Sequence, residues 1–420
     1  MKDRIKDYIE VHREQMIETL VELIETPSPD REPSIAQKVV KRKLEELGYV
    51  TETFEMDERV KQCPDYCDPG FEYPEGVCNL VGTRKGKKAD KTLILYGHID
   101  TEARDYFGDF EDPFRVSREN GRISGLGACD DKGGIAMMIE ALRTAHALKG
   151  DLDQNITVLS LIGKHGGSFG TLSAMMKGYH GNDAIYIHPA ETGHGFQEIK
   201  NISLGILDMK LTVYGEVGLL HDDLDPGENA NIAMAKAIAV IEELNQKMRR
   251  EETFDFGSFK GQSSFLLNVG SVRSSGGPGT VCEKAECLMR CRFFYPYTVD
   301  GIFDLVASAL NERFEGRYLL EKGTFRAEPA MVENDDPFVR FIEGCINNID
   351  GTEEFIHQYH GGSDIRFPIL YGSSRCVGIG PYCELPEKGS GTMEWIDEED
   401  YLKGIAILSK ILIDYSTEIK

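Results

Sequence analysis

LILYGHID (93–100) ends a run of apolar, strand-like residues on a histidine and an aspartate. Three further stretches end in the same way: TVLSLIGKHGG (157–167), AIYIHPAE (184–191) and CVGIGPYCE (376–384). In an open α/β sheet, ligands sit outside the carboxyl ends of the parallel strands, where the chain leaves the sheet. His98, Asp100, Lys164, His165, His188 and Glu191 are therefore expected at one rim. Imidazoles and carboxylates converging there are the donors a divalent metal needs.

Working outward, GRISGLGACDDKGGIAMMIEALRTAHAL follows the first strand, and its second half predicts a helix over 132–147. Gly133 and Gly134 at the start let the backbone approach a neighbour closely. Asp130 precedes that helix, where a carboxylate can cap it or lean onto a cation. Strands over 156–162 and 184–187 follow, separated by the helix-like TLSAMMKGY. This β-α-β alternation predicts an α/β fold, a mostly parallel sheet with helices on both faces.

From about residue 203 the character changes. KLTVYG, a helix over 229–246, FLLNVGSV, CLMRCRFFYP and a helix over 300–313 make an α+β module. We expect residues 1–203 and 325–420 to form the metal-binding domain, with 204–324 inserted into it. Residues 58–78, rich in Pro, Gly and Cys, read as an insertion or a long loop. Within it QCPDYCDPG offers Cys63 and Cys67, a pair more often structural than zinc-binding when no second pair accompanies it.

At 420 residues two domains are the default expectation. The formal net charge is −24, from 71 acidic against 47 basic residues, which disfavours nucleic acid and anionic membranes as partners. The charged start MKDRIKDYIEVHREQM lacks the apolar segment of a signal peptide, and no apolar run approaches the ~20 residues of a membrane span. These features predict a cytoplasmic protein acting on a small molecule, with its ten cysteines reduced. The acidic run IDEED (396–400) reads as the solvated first turn of a final helix. YFGDFEDPF (106–114) reads as an aromatic loop that packs on the surface or lines a pocket.

Taken in order, these motifs resemble the dinuclear zinc hydrolases that include aminoacylase, carboxypeptidase G, acetylornithine deacetylase and succinyl-diaminopimelate desuccinylase. GHIDT matches that family's first-ligand loop, which implies that His98 is a zinc ligand and Asp100 the acid that orients it. GRISGLGACDDKGG matches the loop whose aspartate bridges two metals, and Asp130 falls there. GLLHDDLDPGENA matches a histidine motif of the inserted domain. The resemblance implies that His221 crosses a homodimer to support the oxyanion in the partner's site. Arg292 in RCRFF, and Gly361, Gly362, Ser363 and Asp364 in GGSDIR, resemble segments that bind the substrate carboxylate.

The chain also departs from that family. A Glu-Glu pair, base and ligand, is usual where Lys164 and His165 stand, and an acidic residue is usual where His188 stands. The last histidine ligand falls on Ser390. His98, Asp130 and His188 still make a three-ligand site with an open position, and His165 beside Asp130 is a candidate ligand for a second metal. One or two zinc ions per chain are expected, with other divalent transition metals as alternatives. Lys164 or Glu191 is left to manage the proton, and His360, without family precedent, is a further candidate. The resemblance implies hydrolysis of an amide in an N-acyl amino acid or short peptide. A non-catalytic relative that binds a small ligand, or one with altered metal chemistry, is the alternative.

Overall fold

The computed structural model describes residues 1–418 other than 33–34, 89, 166, 191–192, 217, 220, 222–226 and 257–258. Four strands run parallel at its centre, in the order Asn155–Leu161, Thr92–His98, Asp183–Ile187 and Arg375–Ile379. Antiparallel Asn79–Arg84 and Val50–Phe54 extend one side. The other side is closed by Glu198–Tyr214, antiparallel to Arg375–Ile379.

Alternation along Thr92–His98 explains why both faces are covered. Leu93 and Leu95 point into a core with the helices Lys2–Glu25, Lys132–Lys149 and Glu398–Glu418. Ile94 and Tyr96 point into the opposite core, against the short helices Phe169–Met176 and Arg366–Gly372. All four side chains are fully buried, which stabilises the fold by about 1.5–3 kcal/mol for each aliphatic one. The strand therefore cannot shift register by one residue without exchanging its two faces. The helix Lys132–Lys149 starts tight against the sheet: a Cβ on Gly134 would collide with the Asp131 carboxylate and the Ile187 carbonyl. Its N-cap is Asp131, so the expected capping role of Asp130 is not taken up.

The strand Glu198–Tyr214 is 17 residues long and serves two neighbourhoods. Its first part pairs with Ile356–Gly361 and Ala330–Met331; its second part pairs with Lys284–Phe293 and Arg317–Ala327. Around that second part a separate core forms, in which Leu207, Leu211, Cys287 and Phe293 pack against the helices Ala230–Glu251 and Val299–Arg313.

The Cys- and Pro-rich segment forms a short 3-10 turn, Glu58–Gln62, and then an irregular stretch held by one buried acid. Asp65 accepts from Tyr371 Oη at 2.7 Å, from the Glu328 amide at 2.5 Å and from Arg366 Nε at 3.3 Å. Cys67 Sγ donates to the Arg326 carbonyl at 3.2 Å, and all ten cysteines are free thiols. The aromatic loop packs inward, with Phe107 and Phe114 buried on Leu126. The acidic turn is not simply solvated either, because Glu398 is buried and bonded to Arg13 and Arg118 at 2.6 and 2.5 Å. No helix among the described residues is long and apolar enough to cross a membrane.

Candidate metal centre

The end of Thr92–His98 delivers His98, whose Nε2 lies 2.8 Å from Asp130 Oδ1. The end of Asp183–Ile187 delivers His188, whose Nε2 lies 3.2 Å from the same oxygen. Two imidazoles thus converge on one carboxylate oxygen, and donor atoms of His98, Asp130 and His188 all lie within 4.8 Å of one another. Zinc ligands at ~2.0–2.1 Å in a tetrahedron stand about 3.3 Å apart, so this donor set fits a shared ion. On its other nitrogen, His98 Nδ1 donates to the Asp100 carbonyl at 3.0 Å and faces its carboxylate at 3.5 Å. The contact thus runs through the main-chain carbonyl of Asp100, where the resemblance had implied its carboxylate.

Electrostatics follow the same geometry. Burial, helped by the Lys200 ammonium, brings the His188 pKa down to about 4, so the ring is neutral. Against the pull of burial, His98 and His188 hold Asp130 well below the usual carboxylate range, and Asp130 and Asp100 raise His98 well above its usual value. Lys200 Nζ stands 3.3 Å from His188 Nδ1 and donates to the Pro189 carbonyl.

His165 is placed differently. Its Nδ1 is 3.2 Å from Glu102 Oε1, and its ring meets that of His98 edge-on at 5.4 Å. Its Nε2 is buried without a hydrogen-bond partner. A second donor set, His98, Asp100 and His165, also lies within 4.8 Å. The Asp130 set engages one nitrogen of His98 and Asp100 holds the other, so an ion in the second set would compete with the contact that orients the first ligand.

The remaining candidates divide. Lys164 donates through its amide to Asp100 Oδ2 at 3.0 Å and through Nζ to Asp364 Oδ1 at 2.9 Å. Thr171 Oγ1 takes the other Asp364 oxygen at 2.7 Å, and against burial Lys164 and Arg366 pull that carboxyl down to about 2. The ammonium is thereby committed to a buried ion pair. Ser363 is buried and its carbonyl accepts from Arg366 at 3.0 Å, whereas Gly361 is exposed. His360 approaches His188 with ring centroids 6.5 Å apart. Arg292 lies 5.9 Å over the Tyr359 ring, and Tyr359 alternates with His360 along Ile356–Gly361, so the two face opposite sides. His221 is exposed, beside Gly279 and apart from the cluster within this chain. Glu191 lies outside the described residues.

Ser390 is exposed and bonded to Thr392, whereas Glu394 of the same segment is buried. Glu394 accepts from the amides of Gly127, Cys129 and Asp130 at 2.6, 2.9 and 2.9 Å, and burial pushes its carboxyl up to about 7. Glu102, Lys200 and Glu394 are the residues sequence reasoning missed. Their one signal was position: Glu102 follows the GHIDT motif, Lys200 stands shortly after the IHPA stretch, and Glu394 lies between Met393 and Trp395.

The profile of peptidase family M20/M25/M40 matches residues 94–414. The chain belongs to this family. Among M20 relatives, the N-formyl-4-amino-5-aminomethyl-2-methylpyrimidine deformylase of Bacillus subtilis (strain 168) is 32% identical over 42% of this chain. The match spans 39% of that enzyme's length, well short of the whole. A succinyl-diaminopimelate desuccinylase of Gluconacetobacter diazotrophicus is 24% identical over 82% of this chain and 84% of its own. The crystal structure of aminopeptidase PepT from Bacillus cereus ATCC 10987 superposes with a TM-score of 0.75 at 19% identity, covering 96% of this chain and 99% of that one. The α/β fold of this M20 chain, a large and mostly parallel sheet with helices, is that of its structural neighbours.

Proposed function

We propose that the chain is a metal-dependent hydrolase of an amide bond in a small carboxylate-bearing substrate, an N-acyl amino acid or short peptide. The observation that carries this is the convergence of His98 Nε2 and His188 Nε2 on Asp130 Oδ1 at 2.8 and 3.2 Å. These three residues would hold one zinc or a similar divalent ion, and Asp100 would fix His98. When bound, such an ion polarises the amide carbonyl and lowers the pKa of a water.

The chain's own residues then divide the proton work. His165, oriented through Nδ1 by Glu102, presents Nε2 to take a proton from the attacking water and return it to the leaving nitrogen. Lys164, neutralised by Asp364, serves as a fixed cation under the Asp100 loop instead of a base. His221 from a partner subunit would support the oxyanion in a homodimer, and Arg292 is a candidate for the substrate carboxylate. The division into 1–203 with 325–420 and an inserted 204–324 is supported by the two separate cores. A reducing, cytoplasmic setting is supported by the ten free thiols.

A second reading, a ligand-binding protein without turnover, is favoured by one observation. The position of the family's base holds a cation locked to Asp364. The deciding experiment is turnover of N-formyl, N-acetyl and N-succinyl amino acids and dipeptides by zinc- or manganese-loaded protein of measured metal content. Cleavage at one ion per chain supports the hydrolase. Full loading without cleavage across the panel supports the binding protein.

A further inference from the structure

A cavity of about 400 Å³ opens beside the histidine cluster, and its lining includes His165, His360, Arg31 and Phe71. That size lies at the lower end of the range of small-molecule sites. Ser168 and Gly167 form part of one wall, and the Cys67–Phe71 stretch of the irregular loop forms another. The buried, unpartnered Nε2 belongs to His165 of this same cavity.

Two of the four described non-glycine residues with positive φ line this space, Arg31 at 71° and Ser168 at 63°. Side chains with a Cβ hold such conformations only where the surroundings impose them, and these positions gather at ligand sites. At Arg31 the surroundings are on view. The Asp30 amide donates to the Thr101 carbonyl and the Thr101 amide to the Ser28 carbonyl, both at 2.9 Å. Ser28 Oγ donates to the Ile99 carbonyl at 2.6 Å, so the turn carrying Arg31 is bonded to the loop that follows His98.

The guanidinium itself is held by stacking. Its carbon sits 3.5 Å over the Phe71 ring, an arrangement that fixes the plane and leaves the edge donors open. Its nearest carboxylate is Asp30 at 3.8 Å, and Asp30 already accepts from Tyr73 Oη at 2.7 Å. The other two cations of the cavity are committed, Lys164 to Asp364 and Arg366 to Asp65. The one lining carboxylate, Asp68, accepts from the Gly70 amide of its own loop. In a chain of net charge −24, a cation stacked on Phe71 with open donors, lining the same cavity as His165, selects an anion.

We propose that this cavity is the subsite for the carboxylate-bearing end of the substrate, and that Arg31, stacked on Phe71, is its specificity-determining residue. The planar fork of Arg31 takes both oxygens of a carboxylate. The scissile amide then lies between that end and His165, which makes the enzyme select molecules with a free carboxylate one residue from the cleaved bond. This inference rests on the hydrolase reading for its substrate class, and not for the existence of the anion site.

The test pairs N-acetyl amino acids with their carboxamides, using wild-type protein, Arg31→Ala, Arg31→Lys and Arg292→Ala, all metal-loaded. Arg31→Ala should raise KM for the acids by about tenfold or more with kcat within about threefold, narrowing the preference for acid over carboxamide. Arg31→Lys should recover part of it, because the charge returns without the fork. The assignment is overturned if Arg31→Ala leaves the acid/carboxamide ratio unchanged, or if Arg292→Ala alone abolishes that ratio. Calorimetric titration with N-acetylglycine separates the two readings. Binding lost in Arg31→Ala, from a protein that cleaves nothing, keeps the subsite and removes the hydrolase. Turnover indifferent to Arg31 does the reverse.

Discussion

The rim of the sheet has two halves that use the same strand-end geometry for opposite purposes. On one half, Thr92–His98 and Asp183–Ile187 end in imidazoles that meet at a single Asp130 oxygen. On the other half, Asn155–Leu161 leads to Lys164, whose charge is consumed by Asp364, and the C-terminal Glu394 turns inward to hold three amides of the Asp130 loop. The first half keeps donors pointing at a common point. In the second, the charges of Lys164 and Asp364 are satisfied within the protein, while His165 keeps a buried Nε2 without a hydrogen-bond partner. A buried polar group either has its partner in the fold or waits for one from outside, and the two halves show both outcomes.

The largest effect should come from breaking the first half. Asp130→Ala removes the oxygen both imidazoles share, so metal content should fall below a tenth of an ion per chain, and kcat/KM by on the order of 10⁴-fold. Elemental analysis beside turnover reads both. Next, His165→Asn should lower kcat by roughly 10²–10³-fold with metal content unchanged. Loss of metal in that variant would move His165 from the second half to the first, as a ligand.

The ion pair of the second half should show in stability before activity. Lys164→Met leaves Asp364 buried without its closest cation and should destabilise the fold by about 3 kcal/mol in urea unfolding. The pH dependence has a definite sign. Asp364 titrates near 2 in the folded protein and near 3.8 when unperturbed. Its contribution of about 2 kcal/mol is therefore complete above pH ~4 and lost as pH falls toward 2. Asp364→Asn should flatten that part of the acid limb. The smallest effect is expected at Ser390, exposed and bonded only within its own turn. Ser390→Ala should change stability by less than about 0.5 kcal/mol and leave turnover alone.

What could be read from the sequence follows the same divide. The first half lies on local motifs: His98, Asp100 and His188 were singled out because they stand where apolar strands end, and Asp130 because its loop resembles a family motif. Lys164 was visible as an anomaly, but Asp364, 200 residues away, gave no sign of being its partner. Glu394 went unread, because its contacts with the backbone of residues 127–130 depend on a return of the chain that no local pattern encodes. Arg31 was unreadable because its role depends on a backbone conformation and on Phe71, which lies in a segment without periodicity.

The strand Glu198–Tyr214 also bears on how this protein can be taken apart. Because one unbroken strand is hydrogen-bonded into both cores, a cut near residue 204 yields two raw sheet edges instead of two finished pieces. Grafting the 207–320 core onto another relative, or expressing it alone, calls for carrying the whole strand along with its neighbours. The joint between the two cores is a shared beam, and chimeras should succeed at the loops that leave it and not along its length.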